Sequence, residues 1–263
     1  MQNGAEHHHP RAHLGDLEAA VNAELANPHS KRVFCLTVSG QKYWVKQEQE
    51  RGLFLRIRKG DASSLFRREH KNMISLNSKD VPVPKIVLAG DGYFVASDVG
   101  FPLDAVITGT AKNECSIGSL LELAARETAQ MHRKSIAHGG LHLRNMCISG
   151  DQLAFIDLEN STPYDASIKD MSYDLRVLVF SVLAIFPNRV DLAEFLVSKY
   201  KACGPSEVID EAQHWCRSHW WLAYALAPLR WHETRFRPER KYRQYGAIAP
   251  ALAVLDRFPT TRD

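Results

Sequence analysis

Residues 138–160 read HGGLHLRNMCISGDQLAFIDLEN, and no other stretch restricts the folding of this chain as tightly. NMCI and LAFID are short strand-like pieces, and Gly150-Asp151 between them is a hairpin signal. A loop rich in His, Gly and Asn runs into the first strand, and the apolar run LAFI ends on Asp157. Asn145 thus stands before the hairpin and Asp157 at its end. A carboxamide oxygen and a carboxylate are hard donors of the kind that suits Mg2+. The bland alternative for Asp157 is an ordinary strand-terminating aspartate.

Around this stretch the periodicity divides the chain in two. Residues 1–16 read as a loose leader, and 14–27 carry Leu17, Val21 and Leu25 at the four-residue step of a helix. RVFCLTVSGQKYWVKQEQ (32–49) reads as a hairpin turning at Ser39-Gly40. A further strand is expected over 53–60. A helix capped by Ser64 follows, with Leu65, Met73 and Leu76 on or near one face. Two short strands over 81–100 join at Gly90–Gly92. After Gly100 helices dominate, at 116–135 and then at roughly 170–186, 189–202, 205–229 and 247–257. The expected organisation is a small β-rich lobe with one central helix (1–100) and a larger helical lobe (101–263). The fold class is α+β.

Composition narrows the function classes. Hydrophobic residues make up 45% of the 263, enough for a substantial core, and a net charge of +3 gives no general case for nucleic acid. Five cysteines, odd in number and without C-x-x-C, argue against a disulfide framework or structural zinc and for a reducing cytosol. No apolar run reaches the length of a membrane span. The cluster His7, His8, His9 and His13 is either a polar tail or an adventitious metal binder.

Other residues fall in an order that phosphoryl transfer from a nucleotide would use. Lys46 ends the strand YWVK, where its ammonium would meet phosphates or simply face water. Glu69 lies on the next helix, 23 residues on, placed either to pair with Lys46 or to join a surface network with Arg67, Arg68 and Lys71. Ala96 and Asp98 lie in VASDVG, where a hinge between lobes would offer backbone groups to an adenine. His142 would contact phosphate or scaffold the loop, or accept a proton near neutral pH. Asp174, with Asp170, begins a later helix and would either brace the loop backbone or complement the helix N-terminus. No glycine-rich phosphate loop is evident.

Together Lys46, Glu69, HGGLHLRN and FIDLEN resemble the protein-kinase-like superfamily over roughly residues 32–185. The resemblance is nearest to the bacterial lipopolysaccharide-core kinases acting on Kdo or heptose, with aminoglycoside phosphotransferases as cousins. Those families read H-G-D-x-H-x-x-N, and His142 keeps the histidine where protein kinases carry lysine. The resemblance implies a two-lobed kinase-like fold, with ATP and Mg2+ as cofactors. Lys46 and Glu69 would serve the phosphates, Asn145 and Asp157 the metal, and His138 the loop's structure. The acceptor would be a sugar hydroxyl of a glycolipid core, in the cytoplasm or at the inner face of the inner membrane.

One position departs from the pattern: Gly140 stands where the family has its catalytic aspartate. Three explanations are open. The enzyme works without that base, because positioning and charge neutralisation contribute more to the rate; the chain is a pseudokinase that binds nucleotide or a partner; or the position was altered. A small bacterial protein kinase is a third functional reading, disfavoured by His142. Beyond residue 205 the resemblance stops. Trp215, Trp220, Trp221 and Trp231 are expected on an apolar helix, followed by Arg230, Arg235, Arg237, Arg240, Lys241 and Arg243. Either this is a dock for an anionic glycolipid or membrane surface, or it is core tryptophan plus a solvated basic tail.

Overall fold

The computed structural model describes residues 10–27, 31–48, 62–111, 115–236 and 246–257. It divides into two compact units, Met1–Ser78 with Val83–Asp98, and Lys79–Pro82 with Val99–Asp263. The strand expected over 53–60 and His7, His8 and His9 lie outside the described residues.

In the first unit, helix α1 (Pro10–Leu25) precedes strands β1 (Val33–Val38) and β2 (Gln41–Gln47), helix α2 (Ala62–Asn77), and strands β3 (Ile86–Gly90) and β4 (Tyr93–Ser97). The antiparallel sheet runs β1-β2-β4-β3. Ser39 and Gly40 both have positive φ, 49° and 77°, which suits the right-handed twist of a two-residue hairpin. Strand alternation then sorts the side chains. Tyr43, Val45 and Val95 form a core with Leu17 and Val21 of α1. Lys46 pairs in register with Phe94, and Phe94 lies against Phe66 and His70 of α2, with ring centroids 5.3 and 5.4 Å apart. Lys46 therefore shares the α2 side of the sheet.

Two boundaries differ from expectation. Helix α1 begins at Pro10, inside the expected leader, because proline's fixed φ suits a first helical position. Ser64 does not cap α2, which already begins at Ala62. Asp61, Ser63 and Ser64 are all cap-type residues, so sequence does not choose among them.

The second unit is mostly helical. A small antiparallel sheet joins β5 (Phe101–Pro102), β6 (Met146–Ser149) and β7 (Gln152–Phe155). The helices are α3 (Leu103–Ile107), α4 (Ile117–Arg133), α5 (Ile168–Ile185), α6 (Val190–Cys203), α7 (Ser206–Ser218), α8 (Leu222–Ala225), α9 (Ala227–Phe236) and α10 (Ile248–Arg257). Leu120, Leu121 and Ala124 of α4, Leu175, Leu178 and Val182 of α5, and Leu196 and Val197 of α6 are all within 1% of full burial. Ser116 caps α4 by accepting from Ser119 N, and Ser167 with Asp170 forms a capping box on α5.

The helix expected over 205–229 is three pieces. After Ser218 the His219 ring stacks on Trp215 at 4.2 Å and its Nδ1 lies 2.8 Å from the Trp215 carbonyl, closing the end of α7. Pro228 then sits in the first turn of α9, where its missing N–H costs nothing. The core tryptophans are also not found: Trp220, Trp221 and Trp231 are 63%, 49% and 64% exposed.

Candidate active site

In the first unit, α2 turns Phe66, Glu69, Met73 and Leu76 inward on one stripe, so Glu69 is a carboxylate on an apolar face, 4% exposed. It accepts from Lys46 Nζ. A buried carboxylate is tolerated only when paired, and this pair also fixes the lysine's pose. Ala96 is buried in the inner strand β4. The hinge donors that follow are already committed: Ser97 N–H donates to Lys85 O at 2.9 Å and Asp98 N–H to Lys42 O at 3.3 Å. The Asp98 carboxylate accepts from the Trp44 indole at 2.7 Å. Asp98 is thus an anchor of the segment, its carboxylate engaged within its own unit.

In the second unit, the loop from His138 to Asn145 hangs on one carboxylate. Asp174, fully buried on α5, accepts from the backbone N–H of His138 at 2.5 Å and of Gly139 and Gly140 at 3.0 Å each. The two readings of the α5 acids separate here: Asp170 caps the helix and Asp174 braces the loop. His138 Nε2 donates to Ile156 O at 2.9 Å, which ties the loop to the end of β7. Leu143 N–H donates to Ser181 Oγ at 3.2 Å. Gly139, at φ 80°, has the Asn160 carbonyl so close that any side chain would collide with it. At Gly140 an added Cβ meets no atom within 4 Å. The absent side chain there leaves open space, not a packing contact.

Asn145 is buried and donates through Nδ2 to Gly140 O at 3.0 Å, which turns Oδ1 away from that bond as the atom with lone pairs to offer. Asp157 is exposed and left-handed, with φ 63° and ψ 54°. Aspartate tolerates this region better than most residues but is strained relative to glycine there. The two oxygens fit a hard cation that keeps waters and phosphate oxygens in its shell. Among the described residues no group of three or more His, Cys, Asp or Glu is placed to hold a metal.

His142 is half-buried, and desolvation first, then the Arg144 and His138 charges, hold its imidazole below the ordinary histidine range, with Asp157 opposing. It lines a cavity of ≈ 100 Å3 with Asp104, Arg144 and Ser181. A hollow of ≈ 510 Å3 bordered by Arg133, Cys203 and Glu207 reaches His132 and none of residues 138–145.

Sequence reasoning missed His132, Tyr200 and Ser181. His132 Nε2 lies 3.6 Å from Asp174 and its Nδ1 2.7 Å from the Tyr200 hydroxyl. Burial, and then the nearby Asp174 charge, push the Tyr200 phenol well above its usual range. It stays protonated and its hydroxyl pairs with Nδ1 of His132, whose Nε2 faces Asp174. The signal was present: His132 continues the stripe of Leu121, Ala125 and Thr128, an imidazole on an apolar face.

A sheet-and-helix unit with a Lys–Glu pair, and a helical unit with an aspartate-braced loop before a hairpin, define a protein of the kinase-like class. Residues 104–200 match the model of the lipopolysaccharide kinase (Kdo/WaaP) family, so over this segment the chain is similar to the kinases of that family. It is 24% identical over 146 residues to an uncharacterized protein of Haemophilus influenzae, covering 55% of this chain and 60% of that protein. It is 28% identical over 105 residues to a probable serine/threonine-protein kinase BUD32 homolog of Archaeoglobus fulgidus, covering 40% of this chain and 53% of that one. The alignments thus span roughly half to three-fifths of these relatives' lengths. A solved structure of WaaP in complex with acyl carrier protein matches with a TM-score of 0.48 at 21% identity, over 77% of this chain and 89% of that one.

Proposed function

We propose that the chain transfers a phosphoryl group from Mg2+–ATP to a sugar hydroxyl of a lipopolysaccharide-core type acceptor. The observation that carries this reading is the loop itself: Asp174 holds His138–Gly140 in place beside Asn145 and Asp157, inside the segment that matches the kinase family. Lys46, fixed by Glu69, would hold the phosphates, and Asn145 Oδ1 with the Asp157 carboxylate would hold Mg2+, which when bound neutralises phosphate charge. His142, kept neutral, would lie on the phosphate side of the loop. With no carboxylate at position 140, the chain accelerates the reaction through positioning and charge, which dominate where the transition state is loose.

The competing reading is a nucleotide-binding protein without turnover, favoured by Gly140, where a carboxylate is absent and the space beside the Cα is open among the described residues. Thermal shift with ATP, with and without Mg2+, paired with turnover on purified lipopolysaccharide core separates the two. Mg2+-dependent stabilisation lost in Asp157→Ala, together with turnover, supports the enzyme. The same stabilisation with no turnover on any acceptor supports the binder, and no stabilisation at all defeats both. Gly140→Asp is the companion variant, and a large gain in rate would show that the base was limiting. A glycolipid acceptor also places the substrate at a membrane surface.

A further inference from the structure

Four of the chain's five tryptophans fall between residues 215 and 231. Trp215 is held in a stack, with Arg176 3.9 Å over one ring face and His219 at 4.2 Å. The other three are about half or more exposed. Together with Tyr224 at 73% and Leu229 at 45%, they make an aromatic surface on α8, α9 and the turn before them. Helix α8 buries none of its residues. This is not a crowded core expelling large side chains. An apolar cavity of ≈ 250 Å3, lined by Leu222, Leu226, Val177 and Leu252, lies beside the same helix, yet the rings face outward.

The chemistry of the surface restricts what covers it. Trp and Tyr are amphipathic rings that settle where hydrocarbon meets water. A protein-facing hot spot would also take tryptophan, but the charge here is one-sided. Arg235 is exposed on α9. The chain leaving α9 continues RPERKYRQY, where Arg237, Arg240, Lys241 and Arg243 oppose only Glu239. Basic residues beside interfacial aromatics favour anionic lipid by about 1 kcal/mol per charge near the surface. No helix among the described residues is long and apolar enough to cross a membrane, so the contact would be peripheral.

From this surface we infer that α8 and α9 dock the chain on an anionic lipid bilayer, with Trp220, Trp221, Tyr224 and Trp231 entering the headgroup layer. The inference does not depend on nucleotide chemistry, and its test contains no nucleotide. The full chain is sedimented with vesicles of phosphatidylcholine alone and of phosphatidylcholine with phosphatidylglycerol, at low and at high salt. Binding to the anionic vesicles is expected, weakening as salt rises. Combined Trp220→Ala, Trp221→Ala and Trp231→Ala should lower partitioning at least about ten-fold without lowering the thermal midpoint, because each ring is exposed. Arg235→Gln, which removes one charge, should lower it about two- to five-fold. Failure of the wild-type chain to bind either vesicle overturns the inference. So does a concentration-dependent dimer that the triple variant abolishes, which would assign the surface to a second copy of the chain.

Discussion

Lys46 in the first unit is held by one side chain, Glu69, whereas the loop from His138 to Asn145 has a partner for six of its backbone N–H groups. His138, Gly139 and Gly140 donate to Asp174, Leu143 to Ser181, and His142 and Asn145 to carbonyls within the loop. A single ion pair can be lost without altering the elements that carry it. A loop whose donors converge on one buried carboxylate cannot be altered at that carboxylate without losing its shape. The contrast also explains how the fold accommodates Gly140. Position 140 takes part in the brace through its backbone N–H, at a φ of 158° that glycine adopts more readily than residues with a Cβ.

The sharpest way to break this contrast is Asp174→Ala. It leaves three N–H groups without an acceptor in a dry site, at a cost of at least about 3 kcal/mol, or a fall of roughly 6–12 °C in thermal midpoint for a chain of this size. A midpoint within about 2 °C of the parent would show that water replaces the carboxylate. Next in size is Lys46→Met, which leaves Glu69 buried without its cation. Denaturant unfolding should show a loss of about 2–3 kcal/mol, and the double variant Lys46→Met, Glu69→Gln should recover more than half of it. Equal losses in the single and double variants would mean that the pair is not coupled.

Much of this scaffold was legible in the sequence, and the limits have physical causes. The Ser39-Gly40 hairpin and the β6–β7 hairpin at Gly150-Asp151 are set by local turn chemistry, which a few adjacent residues specify. Glu69 and Asp174 were legible as acids whose partners lie elsewhere in the chain. The choice between brace and helix charge at Asp174 was not, because it depends on burial, and Asp170 four residues earlier has the same type and the opposite fate. The break at His219 escaped the periodicity because the apolar pattern runs through it, and what ends α7 is a side chain stacking on its own helix. For the same reason the sequence left Trp220, Trp221 and Trp231 open between a core and a docking surface. Apolar composition says that a ring seeks contact, not whether the chain itself supplies it.

A smaller effect tests Asp157 from the stability side. Its left-handed backbone is strained for a residue with a Cβ, so Asp157→Gly should raise unfolding stability by about 0.5–1 kcal/mol while removing Mg2+-dependent stabilisation by ATP. Gain in one and loss in the other would mark a residue kept for chemistry at the expense of stability. A loss of stability would instead mean that the carboxylate makes a structural contact.

The smallest expected effect concerns His142, and its sign follows from the direction of its pKa. Burial holds the folded imidazole below the value it takes in the unfolded chain. The unfolded state therefore binds the proton more readily across that interval. The stability linked to His142 is fully present above the ordinary histidine pKa, about 6.5, and declines as the pH falls from there through the lowered folded value. Below that it changes no further. His142→Gln removes this titration, so the acid limb of its stability profile should be flatter than the parent's as the pH falls from about 6.5 through the lowered folded value, with the two curves parallel above. The comparison is best made without Mg2+ or nucleotide, since charge placed near Asp157 would alter the one neighbour that raises the imidazole's pKa. Parallel curves across the whole range would show that the imidazole is as well solvated in the folded chain as in the unfolded one. In that case the loop would keep its backbone brace but lose the dry surroundings that favour a neutral His142.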